Sequence, residues 1–456
     1  MFKKAATWSI LAIILVSITV GCSCRKTSPE AALRMQPINL TYWGVEDSAD
    51  AFTKVIAGYK TIHPNVNITY RKFRAEEYEQ ALIEAWASDR GPDLYLIPST
   101  WLDKYLRRGY IKELPVKISM PYITAKGGSC QQADTIEIKS KTSLTFKDLK
   151  NNFVDVISDD AVRNGKIYGL PYSVETLALF YNRDLLNNAN IPNPAADWDE
   201  FKNQVKRLTI QNSDGEILQS GVAMGTAENI PYAPDILTLL MLQNGTVMSS
   251  GNSSAFTAAA SDNQGYYPGL EALKFYTYFS NPAKEVYTWN AAQPTAFSAF
   301  ASGKAAYYFG YPSDLNLLRA QAPKLDFGVS EAPQISSLTR RSNYARYWLN
   351  VVSFKTKYTY EAWDFIQFAT AAENVKPYLA ATNRPTALRV LISSQLQDLY
   401  QAPFAQQVLS AKSWYTGLDY TTVQDAFNQV VTAIANGAVD YAKVLKNAAN
   451  KINQTY

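Results

Sequence analysis

Three features of the 456-residue sequence predict an α/β fold with mainly parallel sheets flanked by helices. Between residues 38 and 100 the apolar period switches back and forth between 2 and 3.6. The third strand of that run is apolar nearly throughout. The remaining chain keeps mixing short strand-like runs with helical ones.

The elements follow in order. "INLTYWG" (38–44) alternates β-branched and aromatic residues with small and polar ones and predicts a strand. In "SADAFTKVIAGYKTIHP", Phe52, Val55, Ile56, Tyr59 and Ile62 share one helical face, with Ser48 as cap and Pro64 as stop. "VNITYRKF" is the second strand. "AEEYEQALIEAWASDRG" is a helix with Tyr78, Leu82, Ala85 and Trp86 inward. "PDLYLIPST" (92–100) is apolar enough to be buried on both faces. Residues 116–165 break this rhythm, and "AKGGSCQQADTIEIKSKTS" predicts an inserted surface segment. "GKIYGLPYSVETLALFYN" then predicts a short strand, a turn at Pro171 and a buried strand. Asp197, three residues before Glu200, marks a capping box for a helix with Trp198, Phe201, Val205 and Leu208 inward. Residues 228–310 are mostly helical, up to a strand at "KAAYYFGY" (304–311). Strands at 325–333 and 346–354 and a run of helices complete the chain.

Composition bounds the function. An apolar share of 47% and a charged share of 18% describe a globular chain long enough for two or three domains. The charge of +4 falls to a balance of 42 basic and 40 acidic residues without Lys3 and Lys4, too even to imply nucleic acid. The single histidine, His63, sits beside a proline in a turn, which argues against a Ser-His triad or a metal centre. No P-loop, dinucleotide glycine fingerprint or nucleophile elbow occurs. The tyrosine pairs at 266–267 and 307–308 predict packing rather than iron ligation; the second lies in a strand, where neighbours face opposite sides.

Residues 1–21 read as an export signal: Lys3 and Lys4, then the 13-residue apolar run "WSILAIILVSITV", short for a membrane span. "TVGCSC" resembles a lipoprotein lipobox, which makes Cys22 the site of lipid attachment, although Thr19 stands where that box usually carries leucine. Residues 22–37 form the predicted lipid-anchored tether. No structural Cys24–Cys130 disulfide is expected.

"FTKVIAGYKTIHPNVNITY", "GPDLYLIPSTWLDKYLRRGYIKEL", "YGLPYSVETLALFYNRDLL", "AFASGKAAYYFGY" and "TNRPTAL", taken in this order, resemble landmarks of the family-1 extracellular solute-binding proteins of ABC importers, the maltose-binding-protein-like group. The likeness runs from about residue 38 to the end. Tyr172, where an aliphatic residue is usual, and the long 116–165 segment depart from it. The resemblance implies a two-lobe periplasmic-binding-protein-like fold (type II) with a ligand cleft between the lobes. It assigns 38–176 plus about 327–380 to lobe 1 and 177–326 plus about 381–456 to lobe 2. It implies a monomer at the outer face of the bacterial cytoplasmic membrane, with a small solute and permease subunits as partners, no enzyme activity, no cofactor and no metal.

Ligands of doubly wound sheets sit beyond the carboxyl ends of strands, which selects Trp43 and Glu46 after the first strand and Ser99, Thr100 and Trp101 after the third. The resemblance adds Glu175 as a polar hook on the cleft floor, Tyr232, Tyr311 and Trp348 as cleft aromatics, and Arg384 on a rim loop. Trp289 is a further aromatic whose loop the pattern does not place. Aromatic faces beside Glu, Ser and Arg suit a mono- or oligosaccharide. Peptides, polyamines and sugar phosphates stay open as ligands. An exported glycan hydrolase using two carboxylates, or a sensor or adhesin module on the same fold, stays open as a role.

Overall fold

The computed structural model describes residues 28–125, 135–338 and 340–456; the export segment, Cys22, Cys24 and Cys130 lie outside the described residues. β1 (Ile38–Val45) pairs in parallel with β2 (Val66–Phe73), from Ile38 against Val66 to Val45 against Phe73, and with β3 (Leu94–Pro98). Leu94 to Ile97 are buried on both faces, as a run without polar alternation requires. The connecting helices Ala49–Ile62 and Ala75–Ala87 bury Phe52, Val55 and Tyr59, then Tyr78, Leu82 and Trp86. Ser48 holds the cap position without a side-chain bond, and Ile62, in the last turn, faces solvent.

β4 (Ile111–Lys112) closes the far edge of this sheet. Within the segment expected to be a surface insertion, residues 126–134 lie outside the described residues and the described ones form regular elements. β5 (Lys117–Ala125) and β6 (Thr135–Thr142) form an antiparallel hairpin, and helices Phe146–Asn152 and Asp155–Asp160 follow. The stretch 22–37 is also not all tether: Pro29–Arg34 is a helix capped by Ser28, with Ala31 buried and Arg34 reaching the Ser119 carbonyl. A small hairpin, β7 (Val162–Arg163) with β8 (Lys166–Ile167), leads towards the second lobe.

β9 (Glu175–Thr176) and β10 (Ala178–Asn182) carry the chain across. β10 lies in the second sheet with β11 (Ile210–Gln211), β12 (Ile217–Val222), β13 (Ala305–Gly310) and β14 (Phe327–Ser330), in the order β11-β12-β13-β10-β14. β12 and β13 are parallel; the other pairs are antiparallel. The chain returns through β15 (Asn343–Arg346) into β16 (Trp348–Ser353), which runs antiparallel to β3 and β4. Both sheets are therefore mixed rather than mainly parallel, because a strand entering from the hinge runs opposite to those already there. Asp197 caps helix Trp198–Leu208 through Asp199 and Glu200 N–H, but Glu200 reaches the Ala196 N–H, so the expected box closes one residue early.

Two apolar cores result. One gathers β1–β4 and β16 with helices Thr359–Ala369, Ala372–Thr382 and Arg389–Gln395; the other gathers residues 177–332 with the terminal helices Tyr420–Ala435 and Tyr441–Asn453. The lobe limits read from the sequence differ here at two places. β14 belongs to the second sheet, because Leu179 to Asn182 pair with it. Arg389–Gln395 belongs to the first core through Leu391 and Ile392.

Between the cores lies a three-stranded sheet of β9, β15 and β17 (Ala411–Lys412), one strand from each crossing of the chain. Gln407 ties the first crossing to the third, donating to Thr176 Oγ1 at 2.9 Å and to the Leu177 carbonyl at 3.0 Å. Asp160, at the end of a lobe 1 helix, accepts from Tyr347 Oη at 2.6 Å and from Ser413 Oγ, and so holds the second and third crossings. Burial pushes the Asp160 carboxyl up to about 6, against the pull of Ser413, Tyr347 and Arg163. The folded protein thus binds this proton more tightly than the unfolded chain, so stability rises as pH falls from 7 towards 4.5. Asp160→Asn should remove about 2 kcal/mol of that rise, read as the difference between guanidinium unfolding free energies at the two pH values.

Candidate functional site

β1 ends at Val45, and the next residue turns into the left-handed region: Glu46 has φ 65°, a conformation that costs a side-chain-bearing residue about 1–3 kcal/mol. The turn carries the Glu46 and Asp47 carboxylates towards Arg384. Arg384 itself follows Asn383, which ends helix Ala372–Thr382 with φ 54°. Its guanidinium donates to Glu46 Oε2 at 2.6 Å, Asp47 Oδ1 at 3.1 Å and Glu175 Oε1 at 2.6 Å. Tyr378 Oη holds the other Asp47 oxygen at 2.6 Å. Arg384 is only 6% exposed and Glu175 2%.

This changes two sequence expectations. Arg384 does not stand on a rim loop but is buried in a knot of three carboxylates, of which Glu175 is buried, Asp47 half-buried and Glu46 exposed. Glu175, expected as a polar hook on the cleft floor, has its charge met by Arg384, and Arg346 Nη2 lies 3.8 Å from its other oxygen. A charged side chain in an apolar run marks a required partner, and linear sequence does not say whether protein or ligand supplies it. Burial raises the Glu175 carboxyl, reinforced by Glu46 and Asp47 and opposed by Arg384 and Arg346. For Glu46 burial also pushes upward, but Arg384 and Arg346 outweigh it and hold the carboxyl below its usual range.

Beside this knot opens a cavity of about 300 Å³. Lobe 1 lines it with Glu46, Ser99, Thr100, Trp101 and Trp348, the hinge with Tyr344 and Arg346, and lobe 2 with Asp235, Tyr420 and Gln424. The short 3₁₀ turn Ser99–Trp101 sets the first group beyond the carboxyl end of β3, pinned by Ser99 N–H to the Tyr347 carbonyl at 3.0 Å. Trp101 lies flat on Tyr105, with centroids 5.6 Å apart and planes at 14°. Trp348 meets Tyr78 edge-on. A second cavity, of about 580 Å³, flanks Glu46 and Arg384 and is lined by Asp47, Asp50 and Lys72 of lobe 1 and by Ser313 and Asn316 of lobe 2.

Five sequence candidates thus meet in one cavity: Glu46, Ser99, Thr100, Trp101 and Trp348. Tyr311 is fully buried behind it, donating to Asp235 Oδ2 at 2.8 Å. Tyr232 is half-buried, edge-on to Tyr311 with centroids 5.0 Å apart, and bonded to Asp314. Tyr311 supports the wall, while the Arg346 guanidinium lies over the Tyr232 ring, 5.7 Å from its centroid. Trp43 faces Phe73 at 4.5 Å with the Arg71 guanidinium over both rings, away from the cavity. Trp289 is core, its indole N–H bonded to Asn229.

Sequence reasoning passed over Arg346, Tyr344, Asp235 and Tyr420. The first two were within reach. Residues two apart along an extended chain share a face, so choosing Trp348 selects 346 and 344 with it. Asp235 lies three residues beyond Tyr232, in the first turn of helix Ala233–Gln243. Tyr420 opens a terminal helix with nothing local to mark it.

Two mixed α/β lobes, three crossings through a hinge sheet and a cavity walled from both sides define a two-lobed ligand-binding protein. The chain belongs to the bacterial extracellular solute-binding protein family, whose model matches residues 49–403. That family binds solutes without catalysing their conversion. The chain is 21% identical over 394 residues to the galactooligosaccharide-binding protein of Bacillus subtilis, covering 86% of this chain and 82% of that one. It is 27% identical over 293 residues to the maltodextrin-binding protein of the same organism, covering 61% and 63%. Among solved structures, a cyclo/maltodextrin-binding protein in complex with maltotetraose aligns with TM-score 0.71 and 18% identity, over 92% of this chain and 97% of that one. The sugar-binding protein MalE of Xanthomonas citri aligns with TM-score 0.70 and 16% identity, over 91% and 97%. These likenesses carry the type II periplasmic-binding-protein fold.

Proposed function

We propose that the chain is the extracytoplasmic substrate-binding component of an ABC importer and takes an oligosaccharide into the cleft by hinge closure. The observation that carries this is the cavity walled by both lobes. Trp101, Trp348 and Tyr420 offer ring faces to the C–H faces of a sugar, and Glu46, Ser99, Thr100, Asp235 and Arg346 offer donors and acceptors to its hydroxyls. A ligand touching both walls stabilises the closed form over the open one by its differential contacts. The names of similar proteins, among them galactooligosaccharide- and maltodextrin-binding proteins, support a saccharide. The test is thermal shift of the chain from residue 25 onward against neutral oligosaccharides. A rise in melting temperature with at least one supports the reading; a flat response to all, beside a rise with peptides or polyamines, refutes it.

The anchor belongs to the same reading. Lipid on Cys22, in the lipobox-like "TVGCSC", would attach the chain to the membrane. Incorporation of a labelled fatty acid in cells, lost in Cys22→Ser, is the expected result.

A further inference from the structure

The cleft presents one guanidinium whose donors are not used by the protein. Arg346 stands on β15 with its side chain 37% exposed, and no described residue accepts a hydrogen bond from it. It lies over the Tyr311 ring, 4.0 Å from the centroid, and 3.8 Å from Glu175 Oε2. An arginine so placed could read either a carboxylate or a pair of neutral hydroxyls.

The surrounding charges decide between the two. Arg384 has its donors committed to Glu46, Asp47 and Glu175. Lys104, beside Trp101, is paired with Glu79. Against the two guanidiniums stand Glu46, Asp47, Glu175 and Asp235, with Asp314 behind Tyr232 and Tyr308. Glu46 and Asp235 line the same cavity as Arg346, one from each lobe. A carboxylate entering the cavity would gain one guanidinium and meet two carboxylates that line the same walls. A neutral diol would take donors from Arg346 and give its own protons to Glu46 and Asp235, with no repulsion.

We propose that the cleft selects uncharged saccharides against uronate-bearing ones, and that Arg346, its charge already balanced by Glu46, Glu175 and Asp235, is the hydroxyl-reading donor that this charge arrangement dedicates to neutral ligands. The inference rests on the saccharide reading above and sharpens it.

The test is calorimetric titration with maltotetraose, a galactotriose, an arabinotriose and mannobiose. The tightest binder is then compared with its derivative oxidised to the uronate and with the methyl ester of that uronate. The uronate should bind at least about tenfold more weakly than the methyl ester of the same bulk, the scale of juxtaposed like charges. The deficit should shrink in the Glu46→Gln/Asp235→Asn double variant and in 0.5 M salt. A uronate equal to or tighter than its ester overturns the inference, as does binding of an oligogalacturonate when none of the neutral sugars binds; both leave the saccharide reading standing. Silence towards every sugar, charged or neutral, overturns the saccharide reading and this inference with it.

Discussion

Arg384→Ala lowers the unfolding free energy by about 3–5 kcal/mol in guanidinium titrations at pH 7, the cost of leaving buried charges without their partner. The side chain is 6% exposed and is shared by Glu46, Asp47 and Glu175, which arrive from the end of β1 and from the hinge strand β9. Arg384→Lys recovers only part of the loss, because an ammonium cannot reproduce two nitrogens of a planar fork facing three carboxylates. The deficit also depends on pH in a defined sense. Arg384 and Arg346 hold the Glu46 carboxyl low in the folded protein, so this contribution is present at neutral pH and is lost as pH falls through the folded-state value of Glu46. Wild type and variant therefore converge on acidification.

Arg346→Ala does the opposite. Saccharide affinity falls by about 1.5–3 kcal/mol, or about 10- to 150-fold in Kd, the scale of a hydrogen bond to a charged donor. Stability changes by no more than about 1 kcal/mol, as for a partly exposed residue outside the core. Glu175 keeps its 2.6 Å bond to Arg384, and Asp235 keeps the 2.8 Å bond it accepts from Tyr311, so each buried carboxylate retains a hydrogen-bond partner. Two arginines 38 residues apart, facing the same Glu175, thus divide the labour. One fixes the floor of the cleft, and the other is offered to what enters it. Titration calorimetry and chemical unfolding on the same pair of variants separate the roles. Equal losses of affinity and stability in both would show that the division does not exist.

The fold was legible where burial follows a simple period. β1 to β3 and the helices between them came from alternation and from one-faced apolar spacing, and Asp197 announced its helix as a cap. The segment 116–165 was less legible. The β6 sequence "TIEIKSKT" is half-exposed and polar, so its strand character is fixed by pairing with β5 and not by burial. Strand direction was also hidden, since nothing local says that β10 and β16 enter their sheets from a hinge.

In the site, the cavity residues beyond the strand ends could be read because a topological rule places them. Charge partners could not. Glu175 announced itself as a buried acid, but its partner is 209 residues away. Tyr311 and Tyr232 were recognisable as aromatics near the cleft, but whether a ring lines a wall or supports it depends on one layer of packing. Here Asp235 and Asp314 draw their hydroxyls into the lobe.

Small-angle X-ray scattering with and without the tightest-binding oligosaccharide tests most directly whether this protein captures a sugar by closing its two lobes. Saturating sugar should lower the radius of gyration of the wild-type protein, and Arg346→Ala should need a correspondingly higher sugar concentration for the same decrease. A sugar that binds, by calorimetry, while the radius of gyration stays unchanged would contradict closure as the mechanism.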